Sequence, residues 1–76
     1  MDDSDRLLRW IAKQKFYGCY ETDKHKAIEY SRSWLNDECV NSGWTKEIAI
    51  KASKHIACRN LTEFRKLCIH YSNPKQ

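Results

Sequence analysis

Histidine and cysteine are the residues in this 76-residue chain best suited to chemistry, and two pairs of them sit close together in its C-terminal half. His55-x-x-Cys58 sets a nitrogen and a sulfur three residues apart, so on a helix both side chains face one ion, as zinc ligands must. Cys68-x-His70 is spaced by two, which on a helix turns its members roughly 160° apart, so only one of them could join that ion. A closed zinc site takes a fourth ligand, and the chain holds no Cys-x-x-Cys to supply it. Packed cysteines and surface histidines account for His55, Cys58, Cys68 and His70 better than a metal does, and no cofactor is expected.

Nucleophilic and acid–base chemistry fare no better. A reactive thiol needs a base or a helix N-terminus beside it. Cys58 has Lys54 and Arg59 nearby but falls at an expected helix C-terminus, where the dipole opposes a thiolate. Cys19 follows Gly18 in an aromatic stretch with only His25 as a neighbouring base, and nothing orients that histidine. Asp37 and Glu38 are adjacent and diverge on a helix, Asp2, Asp3 and Asp5 crowd the N-terminus, and two glycines cannot build a phosphate-cradling loop. These residues give no reason to expect an enzyme.

Charge carries more information. Residues 46–76 hold Lys46, Lys51, Lys54, Arg59, Arg65, Lys66 and Lys75 against Glu47 and Glu63, a net of +5. Residues 1–45 hold seven basic and eight acidic side chains, a net of −1. The formal +4 of the chain therefore sits in its C-terminal half, and such a field attracts a polyanion or an acidic protein surface.

Composition bounds the architecture that must hold these charges. Two glycines and one proline are too few for a sandwich or barrel, and nine aromatic residues (three Trp, four Tyr, two Phe) supply core area to a chain with little of it. No apolar run approaches the roughly 20 residues of a membrane span. The acidic Met1-Asp2-Asp3-Ser4-Asp5 start is unlike a secretory signal, so the expected compartment is the cytoplasm, with Cys19, Cys39, Cys58 and Cys68 reduced. A secreted, disulfide-stapled peptide is the minor alternative, and the Asn60-Leu61-Thr62 sequon adds little weight to it.

Apolar period and stop signals predict one all-α domain, a small four-helix bundle. The first helix spans 5–16, with Leu7, Leu8 and Ile11 as its stripe and Gly18 as its left-handed stop. The second spans 23–39 after a Thr22 or Asp23 cap, with Ala27, Ile28, Ser31, Trp34 and Leu35 on one face and an Asn41-Ser42-Gly43 turn beyond. Thr45 caps a third over 46–58, where Ile48, Ala49, Ala52 and Ile56 face inward. After a break at Arg59-Asn60, a fourth spans 61–71 on Leu61, Phe64, Leu67, Cys68 and Tyr71, and 72–76 form a loose tail. The one strand candidate, 16–20, is too short and isolated to build a sheet.

Two functions fit this frame. In the first, a small cytoplasmic regulatory protein binds nucleic acid through its C-terminal helices, paired in a helix-turn-helix-like unit. Lys51, Lys54, Arg59, Arg65 and Lys66 contact phosphates, while the N-terminal helices complete the core or dimerise. In the alternative, an inhibitor or adaptor docks on an acidic protein surface, with Trp44, Tyr17 and Tyr20 as anchors and the same cations steering encounter.

Overall fold

The computed structural model describes residues 3–43 and 45–72, and the side chains among them other than those of Ser42, Lys46, His70, Tyr71 and Ser72. The protein is all-α: five α-helices and one 3₁₀ turn, with no strand among the described residues. Helix α1, Asp3–Lys15, has Asp3 and Asp5 in its first turn and Lys13 and Lys15 in its last, charges that oppose the ends of its dipole. It buries Leu7, Leu8, Ile11 and Ala12, the face expected from the apolar stripe.

Gly18 does not end a helix. After the single non-helical Phe16 the chain re-enters a short helix α2, Tyr17–Thr22, and Gly18 lies inside it. The main-chain ladder carries across the join, with Phe16 N–H donating to the Ala12 carbonyl at 2.9 Å and Tyr20 N–H to the Phe16 carbonyl at 2.8 Å. At the far end the Thr22 hydroxyl donates to the carbonyls of Gly18 and Cys19. These bonds offset the roughly 1 kcal/mol that glycine costs inside a helix. Residues 17–20 of the strand candidate 16–20 are thus helical, and the helices number five rather than four among the described residues.

Helix α3, Lys24–Ser42, runs three residues beyond the expected end at 39, because nothing breaks it before Gly43. Asp23 caps its start, its carboxylate accepting from Lys26 N–H at 3.1 Å. Gly43 closes it at φ 73°, with its N–H bonded to the Cys39 carbonyl. It is the only positive-φ position among the described residues.

Helix α4, Lys46–Ala52, begins at the expected cap, where the Thr45 hydroxyl accepts from Ile48 N–H at 3.2 Å. It ends six residues before the expected 58. The Ser53 hydroxyl donates back to the Ile50 carbonyl and Ser53 is buried, so the backbone tightens into a 3₁₀ turn, Ser53–His55. Cys58 N–H then bonds the His55 carbonyl at 2.9 Å, outside any helix. Helix α5, Leu61–Ser72, starts on a displaced capping box. Asn60 Oδ1 accepts from Glu63 N–H at 3.0 Å, and Glu63 Oε1 accepts from Arg59 N–H at 3.4 Å. Ser72 is helical, and residues 73–76 of the expected tail lie outside the described residues.

Leu7 and Ile11 of α1, Ala49 and Ala52 of α4, and Phe64 and Cys68 of α5 form the buried core, with Trp10, Trp34, Leu35, Cys39, Ile48, Ile56 and Leu61 packed against it. The Trp10 and Phe64 rings meet at 5.3 Å between centroids and tie the first helix to the last. Helix α1 packs along α3 and touches every other element, while α4 packs on α5. The connection from α4 to α5 is residues 53–60, longer than the three- or four-residue turn of a helix-turn-helix unit, so that pairing gains no support from the fold.

Candidate nucleic-acid interface

The C-terminal cations fall into two kinds. Lys51, in the last turn of α4, and Lys54, in the 3₁₀ turn, are three residues apart and exposed on one side. Lys66 is exposed on α5. None of these three lysines makes an ion pair among the described residues. The arginines differ. Arg59 Nε lies 3.1 Å from Glu63 Oε2, within the capping structure of α5. Arg65 Nε lies 2.8 Å from Oε2 of Glu38, whose side chain is only 13% exposed on α3. That oxygen has no aligned hydrogen-bond donor, so the contact is an ion pair held by charge.

Exposed ion pairs contribute little stability, yet each sets an anion against an arginine that a phosphate would otherwise use. Of the five cations expected to meet phosphate, Lys51, Lys54 and Lys66 carry their charge outward, whereas Arg59 and Arg65 lie against carboxylates. Trp44, an expected anchor, lies outside the described residues. Tyr17 is 61% exposed on α2 and Tyr20 is half-buried there, so both sit on a helix rather than beside a turn.

The helical spacing invoked for His55 and Cys58 does not apply, since one lies in the 3₁₀ turn and the other beyond it. No group of three His, Cys, Asp or Glu side chains is placed to hold a metal among the described residues. All four cysteines are free thiols. Burial first, then the neighbouring Glu38, raises the Cys39 thiol above its ordinary pKa. Burial first, then Glu63, raises that of Cys58. Cys68, fully buried, is pushed up to about 12 by burial, then by Cys39, Cys58 and Glu38. Thiols held this way are protonated and weakly nucleophilic at neutral pH.

The chain matches no protein-family model, no curated protein and no solved structure.

A second cationic cluster lies where the sequence reading placed none. Lys13 Nζ is 5.7 Å and Lys24 Nζ 5.8 Å from the centre of the Tyr20 ring. Lys15 Nζ is 5.7 Å from the centre of Phe16 and 5.8 Å from that of Trp34. Phe16 in turn meets Tyr30 at 5.7 Å. The signal for it was a seven-residue spacing between Lys13 and Tyr20, which brings the two onto one side when the helix is nearly continuous through Gly18. Taking Gly18 as a stop hides that register. A separate groove of about 720 Å³ between α1, α3 and α4 has an apolar floor that includes Leu7, Leu8 and Leu35, and none of the expected binding residues lines it.

Proposed function

We propose that this chain is a small, non-catalytic regulatory protein of the cytoplasm that binds nucleic acid through the lysines of its C-terminal half. The observation that carries the reading is the division among the cations of the +5 half. Arg59 and Arg65 are set against carboxylates, while Lys51, Lys54 and Lys66 stay exposed on neighbouring elements with no ion pair among the described residues. Lysine acts as a point charge toward phosphate and needs no fixed geometry, which suits contacts that follow a backbone rather than a base sequence.

The test is fluorescence anisotropy with labelled oligonucleotides, single-stranded and duplex, at low and physiological salt, comparing wild type with the triple variant Lys51→Glu, Lys54→Glu, Lys66→Glu. Micromolar binding that weakens with salt by about one power per phosphate neutralised, and that disappears in the variant, is expected. Absence of binding at both salt concentrations overturns the reading. Docking on an acidic protein surface is the second reading, favoured by the exposure of Val40 and Ile69, which nucleic acid does not use. Such an interface depends less on salt and more on single apolar or aromatic anchors.

A further inference from the structure

We infer that the cluster of rings and lysines joining α1, α2 and α3 is a stacking platform for unpaired bases, so that the nucleic acid bound is single-stranded. This inference rests on the nucleic-acid reading above and adds to it the class of strand and a second contact region. Sequence-tolerant binding of single strands combines two elements, aromatic faces on which bases stack and cations that follow the phosphates. Both are present on α1, α2 and α3, where lysine ammonium groups lie 5.7–5.8 Å from the Tyr20, Phe16 and Trp34 rings and Phe16 meets Tyr30. Tyr17 is 61% exposed and Tyr30 is 45% exposed, large fractions for rings in a chain with so little core to fill. Lys13, Lys15 and Lys24 are exposed on the helices that carry these rings or adjoin them, with their ammonium groups over Tyr20, Phe16 and Trp34.

A cation over a ring meets no formal counter-charge, whereas a cation on a carboxylate has its field partly offset by an anion beside it. The three lysines are therefore available to phosphate in a way that Arg59 and Arg65 are not. The anions of the same region are Glu21, Asp23 and Glu29, and the Asp23 carboxylate is already engaged by Lys26 N–H at the start of α3. Residues 13–26 hold Lys13, Lys15, Lys24 and Lys26 against Glu21 and Asp23, a local net of +2 inside a half whose total is −1. A duplex offers no unpaired base faces to Tyr17 or Tyr30, so it gains only the lysine contacts.

The experiment titrates labelled oligothymidylate and a mixed-sequence duplex of equal length into wild type and into the variant Tyr17→Ala, Tyr30→Ala. The expected result is single-strand binding about tenfold tighter than duplex binding, with that preference lost in the variant, since one stacked base contributes about 1–3 kcal/mol. Circular dichroism monitors the helices. If the double variant loses them, Tyr17→Ala alone serves, because that ring is the most exposed and has no ring partner among the described residues. Equal affinity of the wild type for both strands, or an unchanged preference in a folded variant, overturns the platform and leaves the lysine reading intact. No binding of either strand overturns both.

Discussion

In the α4–α5 region, the arginines reach carboxylates: Arg59 on Glu63 and Arg65 on Glu38. In the α1–α3 region, the lysines lie over aromatic rings: Lys13 and Lys24 on Tyr20, Lys15 on Phe16 and Trp34. The first region is the more basic by count, yet two of its cations are balanced locally. The second is weakly acidic by count, yet it presents three lysines that lie over rings and make no ion pair among the described residues. Net charge over a segment measures the field far from the molecule, where Glu and Lys simply add. What a ligand meets at contact depends on which cations are already paired. The contrast also separates two structural roles, because the Arg65–Glu38 ion pair links α5 to α3, and a lysine over a ring steadies little.

The largest effect expected is one that breaks both regions at once. Phe64 of α5 is fully buried and meets Trp10 of α1, so Phe64→Ala removes a ring from the seam between them. A loss of about 3–5 kcal/mol is expected. That is a large part of the roughly 4–11 kcal/mol available to a chain of this size at 0.05–0.15 kcal/mol per residue. Urea unfolding followed by far-ultraviolet circular dichroism and by tryptophan fluorescence should show both probes shifting together. If only one probe shifts, the two regions do not unfold as a unit.

A second loss is expected at alkaline pH. Burial, then Cys39, Cys58 and Glu38, raises the Cys68 thiol from its ordinary 9.0 to about 12 in the folded chain. Between those values the unfolded chain releases the proton and the folded chain keeps it, so ionisation favours unfolding. The stabilising contribution is complete below about pH 9 and is lost as pH rises toward 12. The urea midpoint of wild type should fall over that window more steeply than that of Cys68→Ala. Parallel profiles would remove Cys68 from the account of the seam.

The smallest effects sharpen the contrast between arginine and lysine. Arg65→Gln leaves the largely buried Glu38 carboxylate without its cation, and a loss of about 1 kcal/mol is expected with little change in nucleic-acid affinity. Lys15→Gln should cost about 0.5 kcal/mol of stability while reducing the salt dependence of binding by about one power. Thermal melts and salt titrations of the two variants check both halves of the statement. The reverse pattern would place the phosphate contacts on the arginines.

Much of the fold was legible because it is written in local chemistry. Asp23 and Thr45 cap the helices that their side chains predict. The stripes Leu7–Leu8–Ile11 and Phe64–Cys68 become the core because apolar residues at helical spacing have no other economical place to go. The errors lie where a local rule met a competing bond. Gly18 has the residue type of a stop, but main-chain bonds across Phe16 carry the helix past it. Lys54, His55 and Cys58 have helical neighbours, but the chain passes into the 3₁₀ turn at Ser53 before they can join α4.

The candidate site was less legible for a different reason. Lys51, Lys54 and Lys66 are found by counting charge, but the pairing of Arg65 with Glu38 joins α5 to α3 across 27 positions of sequence, and no spacing rule reaches that far. The ring–lysine cluster depends on α1 and α3 being brought side by side, with α2 between them. Averaging charge over the whole N-terminal half conceals it, because Asp2, Asp3, Asp5, Asp37 and Glu38 outweigh the local surplus of lysine.

Helix α2 buries none of its residues and has no side-chain bond at its start. Its amide hydrogens are therefore expected to exchange with solvent sooner than those of α1 and α5, which hydrogen-exchange measurement would check. Tyr17 and Tyr20 ride on that segment. A surface mounted there can be reshaped by what it touches at little cost to the rest of the protein, and recognition can proceed by adjusting the reader while the frame stays fixed.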